Sequence, residues 1–364
     1  MSPWSRTVAL QDSLPDSVDV VVVGGDPHAW VVARGLARSG ASVAVLDNAD
    51  SVGCTGISQG TGHAFVGLPE SAARLVQSIG VAAARPLYEL SAGGLQLLSS
   101  LGLSTSAPGL WEASDPREAV ELSDSVSALN ALGFASAFDG QCLVGPQDAV
   151  VEPALACRRL ALAAQQAGAR CRSGVGVHAW DGEVLNTSAG PIRAELVVAA
   201  GDLGSLTWHP FFAPCLLPYR EHAVRVAGWR LPTVQRFQYG YFTFRAHDDA
   251  GMVRGARWAT SYMEAGETEP VTVDIIQDKL DAAVRKRGGD PARATHRWAW
   301  IETTTCDNLP FVGPLPGEPR VVCCTGFGAS GWGLGVGAAE RVVLALTDDA
   351  TTESTGLEPS RMVV

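Results

Sequence analysis

The stretch Val18-Asp19-Val20-Val21-Val22-Val23-Gly24-Gly25-Asp26-Pro27-His28-Ala29-Trp30 reads as a buried strand that runs into a tight glycine turn and then a helix. The next apolar run, Val43 to Leu46, ends in Asp47, at roughly the ~20-residue spacing that a dinucleotide-binding unit uses for its ribose-binding acid. Two letters depart from G-x-G-x-x-G: Asp26 stands in place of the second glycine and Ala29 in place of the third. The second glycine normally lets the backbone approach a pyrophosphate, so a carboxylate there adds bulk and a like charge. Two outcomes stay open. A dinucleotide binds with a compensation, such as Asp26 turning away to cap its helix, or the site has decayed.

The 364 residues are enough for two domains, or for one domain with a large insert. Hydrophobic residues at 46% and charged residues at 18% suit an ordinary α/β protein. A formal net charge of -11 with no basic stripe argues against a nucleic-acid surface. No apolar run approaches a membrane span and Met1 to Val20 lacks a signal-peptide core, so the expected location is cytoplasmic. Eight scattered cysteines without a C-x-x-C pair read as reduced thiols, and no metal site is expected.

Further along, Gly53 to His63 is a glycine-dense loop of the kind that faces a ligand. Helical spacing covers about Glu70 to Leu101. A second α/β block follows, with Glu152-Pro153 ahead of a helix through Leu155 to Ala167, short strands at Val175, Val177 and Glu183 to Asn186, and a buried strand Leu196 to Ala200 that ends at Gly201. From Pro218 to Trp300 the chain is rich in aromatics and arginine. Phe237 to Phe244 has strand-like aromatic density, and Val273 to Arg287 is an amphipathic helix. The pattern predicts an antiparallel sheet with a covering helix, inserted into the nucleotide domain. Val321 to Cys324 then reads as a strand, Thr325 to Gly337 as a glycine loop and Ala338 to Leu346 as a helix, whose N-terminus suits an anion.

Thr305-Cys306-Asp307-Asn308-Leu309-Pro310-Phe311-Val312-Gly313-Pro314, followed by Thr325-Gly326-Phe327-Gly328-Ala329-Ser330-Gly331-Trp332-Gly333-Leu334-Gly335, resembles the C-terminal signature of the FAD-dependent D-amino-acid oxidase superfamily, which includes glycine and sarcosine oxidases and the γ-glutamylputrescine oxidase group. The resemblance implies a Rossmann-like α/β FAD-binding domain (1–80, 148–215 and 305–364) with an inserted antiparallel-sheet substrate domain of α+β type (81–147 and 216–304). It further implies FAD contacts at Gly24, Gly25 and Asp47, at Thr55, Ser58, Gly60, Thr61 and His63 along the ribityl chain or ring, at Val177 and Gly201, and at Gly326, Gly328, Ser330, Gly331, Trp332, Gly333 and Leu334 beneath the isoalloxazine. FAD would be held non-covalently, with a link through His63 as the lesser alternative. The implied reaction takes a hydride from the carbon next to an amine nitrogen, and the imine hydrolyses.

Ahead of the T-x-D signature, where many relatives carry an arginine for the substrate carboxylate, this chain has Glu302. Glu302 suits a cationic amine, so amines are expected over α-amino acids; its alternative role is as a partner for Arg297. Tyr239, Tyr241 and Arg254 are the other candidate substrate contacts, with core packing or a surface ion pair as the plainer readings. Gly56-Ile57-Ser58-Gln59-Gly60 has the letters of a nucleophile elbow without its strand-to-helix setting. The leading expectation is an FAD-dependent amine or amino-acid oxidase or dehydrogenase, with a small-molecule substrate and a partner subunit or homo-oligomer allowed. The alternative is a family member that binds FAD weakly or is non-catalytic and acts as a subunit or ligand-binding partner.

Overall fold

The computed structural model describes residues 2–4, 8–54, 56–145, 148–348 and 355–363. In chain order the main elements are β1 (Ser17–Val23), α1 (Pro27–Arg38), β2 (Val43–Asp47), α2 (Ala72–Ser100), α3 (Pro116–Leu132), α4 (Pro153–Gln166), β3 (Arg170–Ser173), β4 (Gly190–Ala199), β5 (Leu216–Ala227), β6 (Phe242–His247), β7 (Ala250–Gly255), α5 (Asp274–Lys286), β8 (Ala294–Thr305), β9 (Phe311–Leu315), β10 (Glu318–Thr325) and α6 (Val336–Thr347).

One sheet runs β9-β10-β4-β1-β2-β3, parallel except for the β9–β10 hairpin. Its central strand is apolar on both faces, as a strand covered on both sides must be: Val21, Val22 and Val23 are at most 1% exposed. Burying each such side chain contributes about 1.5–3 kcal/mol, which fixes β1 at the middle of the layer. On one face α1, α4 and α6 pack with Trp30, Val32 and Leu36 at the contact. On the other, Val21, Val23 and Leu46 meet Leu206, Trp208 and Phe212. The hairpin Val177–Trp180 and Val184–Thr187 extends the sheet from the first half of β4.

The second sheet is ordered β8-β5-β7-β6 and then continues through the short strands Gln235–Phe237, Leu110–Glu112, Cys142–Val144 and Ala137–Phe138. Helix α5 covers it, with Ile276, Leu280 and Val284 packed on Val224, Val226, Phe244 and Val253. An antiparallel sheet with a covering helix is therefore present as expected. Helix α2 packs on α3 and α6; the sequence periodicity shows it as one helix, but it leaves helical geometry at Gly80 (φ 80, ψ 161). Its second half meets the C-terminal segment at very short range: a Cβ on Gly94 would lie 2.0 Å from the Gly333 carbonyl oxygen.

The aromatic stretch Phe237 to Phe244 is not one strand. Gln238 and Tyr239 take positive φ, so the chain turns between Phe237 and Phe242 and carries Tyr239 and Tyr241 on the bend. Likewise α6 begins at Val336, ahead of the expected start at Ala338, and is preceded by helical turns over Gly328–Ser330 and Gly331–Gly335 in place of an open glycine loop.

Candidate active site

The C-terminal ends of β1, β2 and β4 converge, which is where open parallel sheets bind ligands. Gly24 (φ 137) makes the turn after β1, and a Cβ there would lie 2.2 Å from the Ala200 carbonyl oxygen. Only glycine permits this approach. The third partner is tied in by Thr325, whose hydroxyl donates to the Gly201 carbonyl at 2.7 Å. Asp47, at the end of β2, is 2% exposed and faces Gly25 so closely that a Cβ on Gly25 would meet its Oδ2 at 2.0 Å. A cavity of about 360 Å³ opens beside this turn, lined by Gly25, Asp26, Asp47, Gly56, Asp202 and Trp300.

Asp26 is the N-cap residue of α1, yet its side chain makes no capping hydrogen bond. The capping role that would have moved it out of the groove is thus not taken. Its carboxylate faces inward: a Cβ on Gly56 would lie 2.5 Å from Asp26 Oδ1 and 2.3 Å from Asp202 Oδ2. Burial, and then Asp202, Asp47 and Glu302, push the Asp26 carboxyl well above the usual range. Burial likewise lifts Asp47 to about 7. Asp202 is also raised to about 7 by burial, against a hydrogen bond from Thr303. His28 follows on the first turn of α1, buried and held neutral by desolvation at a pKa of about 3. With Gly201, Glu302, Gly326 and Gly331 it lines a narrow chamber of about 10 Å³.

The C-terminal glycine segment divides in two. Gly326, Gly328 and Gly331 line the chambers. Trp332, Gly333 and Leu334 are buried against other elements, with a Cβ on Gly333 lying 2.4 Å from the Phe65 carbonyl oxygen. Gly333 is there for packing. Ser330 Oγ and the Trp332 indole nitrogen are buried without a hydrogen-bond partner among the described residues.

In the loop after β2, Ser58 is buried in a 3₁₀ turn, Gly56–Gln59, so the nucleophile-elbow reading fails on geometry. Thr55 lies outside the described residues. The Gly60 carbonyl accepts from the Trp4 indole, and the Thr61 carbonyl accepts from Arg245 at 2.7 Å. His63 Nε2 meets Asp148 at 2.8 Å, and Asp148 also pairs with Arg236, whose guanidinium lies over the rings of Phe65 and Trp111. Burial draws His63 down to about 4 despite that carboxylate. Val177 is buried in its hairpin and does not line these cavities, whereas the neighbouring Val175 amide donates to the Asp47 carbonyl at 3.0 Å.

A larger cavity of about 430 Å³ lies on the second sheet's side, lined by Tyr219, Tyr239, Tyr241, Arg257, Phe327 and Ala329. Tyr219, Tyr239, Tyr241 and Arg257 also line an adjoining chamber of about 120 Å³, where Arg254 and Glu221 enter. Arg257 is committed to Glu221 at 2.8 Å and lies over the Tyr219 ring. Arg254 forms no ion pair among the described residues. The Tyr239 hydroxyl is 3.2 Å from Asp115. Glu302 does not reach this cavity. Trp300 Nε1 donates to one of its oxygens at 2.7 Å and the Tyr219 hydroxyl to the other at 2.6 Å, while it borders the narrow chamber. Nor is it the partner of Arg297, which pairs with Asp281. Tyr219, Glu221 and Asp202 are not singled out as site residues by the sequence; only the strand register that sets Tyr219 opposite Glu302 reveals the first of them.

The family model described as FAD dependent oxidoreductase (DAO) matches residues 19–344. The chain belongs to this family. No curated protein matches it by sequence. Among solved structures, this DAO-family chain is similar to glycine oxidase from Geobacillus kaustophilus (19% identity, 96% of this chain and 100% of that one, TM-score 0.77). It is also similar to L-proline dehydrogenase from P. horikoshii (17%, 96% and 98%, TM-score 0.78) and to L-amino acid deaminase from Proteus myxofaciens (16%, 99% and 97%, TM-score 0.74). At these identities the likeness concerns the fold. The family's cofactor fits the Gly24-Gly25 turn, Asp47 and the adjoining cavity, and the unpartnered Ser330 hydroxyl and Trp332 indole suit a polar group beside the C-terminal segment. The three carboxylates at the turn are the point of strain in that fit. No helix among the described residues is long and apolar enough to cross a membrane.

Proposed function

We propose that this FAD-dependent oxidoreductase oxidises the C–N bond of a small amino acid to an imine, with the substrate in the cavity walled by Tyr219, Tyr239 and Tyr241. Bound FAD would supply the two-electron acceptor, and oxygen or another acceptor would reoxidise it. Gly24, Gly25 and Asp47 would hold its adenosine end, and Gly326, Gly328 and Gly331 would border its ring end. His63 is engaged by Asp148, which favours a non-covalent cofactor.

The observation that carries the substrate reading is Arg254: a cation at a cavity wall, with no ion pair among the described residues, beside an Arg257 that is already neutralised by Glu221. A free guanidinium there suits a carboxylate. The preference for simple amines rested on Glu302, and both oxygens of that carboxylate are already bound by Trp300 and Tyr219. Tyr239 and Tyr241 would close over the substrate from the bend, Tyr239 braced by Asp115.

The test is a purified protein reconstituted with FAD and given a panel of amino acids and matching amines, read as bleaching of the oxidised flavin bands. Arg254→Met is expected to raise KM for the best amino acid about 30-fold or more, the loss of a charge-assisted anchor, and to leave the decarboxylated amine unaffected. Equal effects on both would remove Arg254 as the carboxylate site. A second reading, a weakly FAD-binding member acting as a subunit or ligand-binding partner, draws on the acids at the turn. Protein that stays colourless with excess FAD would favour it.

A further inference from the structure

The groove beside the glycine turn brings together acids from four separate elements. Asp26 opens α1, Asp47 closes β2, Asp202 follows β4 and Glu302 sits on β8. Oδ1 of the first and Oδ2 of the third both come within 2.5 Å of the one point where a Cβ on Gly56 would sit. None of the four is in an ion pair among the described residues. Of the other titratable groups against them, His28 is buried and neutral, and Cys157, on α4, is a buried thiol that Asp26 and Asp47 push further from ionisation; the positive charge of Arg257 is felt by Glu302 but is already paired with Glu221. Glu302 has its two donors in Trp300 and Tyr219, and Asp202 has one in Thr303. Asp26 lacks even a helix cap.

A nucleotide pyrophosphate carries two negative charges and must pass this turn if the FAD assignment holds. Like charges in a dry groove repel strongly, because the low dielectric leaves them unscreened. We propose that FAD enters this site together with at least one proton, shared by Asp26 and Asp202 beside Gly56, so that cofactor binding is linked to pH. A protonated carboxyl in that place turns from an obstacle into a hydrogen-bond donor for a phosphate oxygen, the work that the absent glycine leaves undone. This rests on the FAD reading. The buried, mutually repelling carboxyls and their upward pKa shifts agree with it.

The experiment is titration of the flavin-free full chain with FAD from about pH 6 to about pH 8, in EDTA and with added Mg²⁺, reading Kd and proton uptake in buffers of different ionisation heat. Wild type is expected to weaken with rising pH, approaching about tenfold per unit once the proton must be taken from solution, with net proton uptake on binding. Asp26→Asn, which supplies the donor permanently, is expected to bind at the higher pH nearly as tightly as wild type binds at the lower. A wild-type Kd that changes less than about twofold over this range, or binding without proton uptake, overturns the proposal and leaves the FAD assignment standing. Tight binding at the higher pH only with Mg²⁺ overturns it in favour of a bridging cation. Failure of both wild type and Asp26→Asn to bind FAD at any pH overturns the FAD assignment itself.

Discussion

Gly24→Ala is expected to strip the protein of flavin and to cost the fold about 3 kcal/mol or more, as strain and overpacking add. The position has φ 137, and the new methyl would lie 2.2 Å from the Ala200 carbonyl oxygen, which belongs to the neighbouring strand end and cannot swing aside. Relief would require β1 and β4 to part at the point where Val23 pairs with Ala199. Gly40→Ala is the matched comparison, since Gly40 also has positive φ (98) but nothing within 4 Å of a Cβ. It is expected to lose only the backbone term and to keep its flavin. Denaturation midpoints and the flavin-to-protein absorbance ratio separate the two. Full flavin content in Gly24→Ala would show that the turn does not carry the cofactor.

The flavin-free protein is expected to lose stability as pH rises from about 6.5 to about 8. Asp26, Asp47 and Asp202 have native pKa values above their unfolded ones. The native state therefore binds more protons than the unfolded chain, and the associated stability is present at low pH and lost as pH rises through the native values. Below about 6.5 the trend is opposed by His28 and His63, whose native values lie near 3 and 4, because protonation of the unfolded histidines draws the equilibrium away from the fold. Above that point the carboxyls act alone among these groups. A loss of about 1 kcal/mol follows from Asp47 and its value near 7, and Asp26 and Asp202 add to it in the same direction. Thermal melts in buffers of constant ionic strength check this. A midpoint that is flat or rising over the interval would mean that the three carboxyls are ionised in the native protein.

How much of this was legible from the letters depends on whether the signal is local. The strand-glycine-helix unit, Asp47 after β2, helix α5 and the C-terminal signature are short patterns set by periodicity and turn chemistry, and the structure has the corresponding elements. The direction of Asp26 was not readable, because a carboxylate at an N-cap position has two places to go and tertiary packing chooses. Glu302 shows the same limit: its partners are Trp300, two residues away on its own strand, and Tyr219, 83 residues away and opposite only in the β5–β8 register. The bend at Tyr239 was concealed by residues that rarely take positive φ. The packing role of Gly333 could not be seen without its partner Gly94 on α2.

That contact, together with the break at Gly80, divides what sequence change can reach. Past Gly80, α2 is dovetailed to the C-terminal segment at Gly94, and a methyl on Gly337 would lie 1.8 Å from the Leu90 carbonyl oxygen, so substitutions there press directly on the segment that follows Gly331. Ahead of Gly80, the short first stretch carries Arg74 at the wall of the large cavity, and its backbone is not locked into the same helical ladder. A library at Glu70 and Arg74, which line the proposed substrate cavity, is therefore expected to change which molecules it admits and to leave the packing of Gly94 and Gly337 untouched.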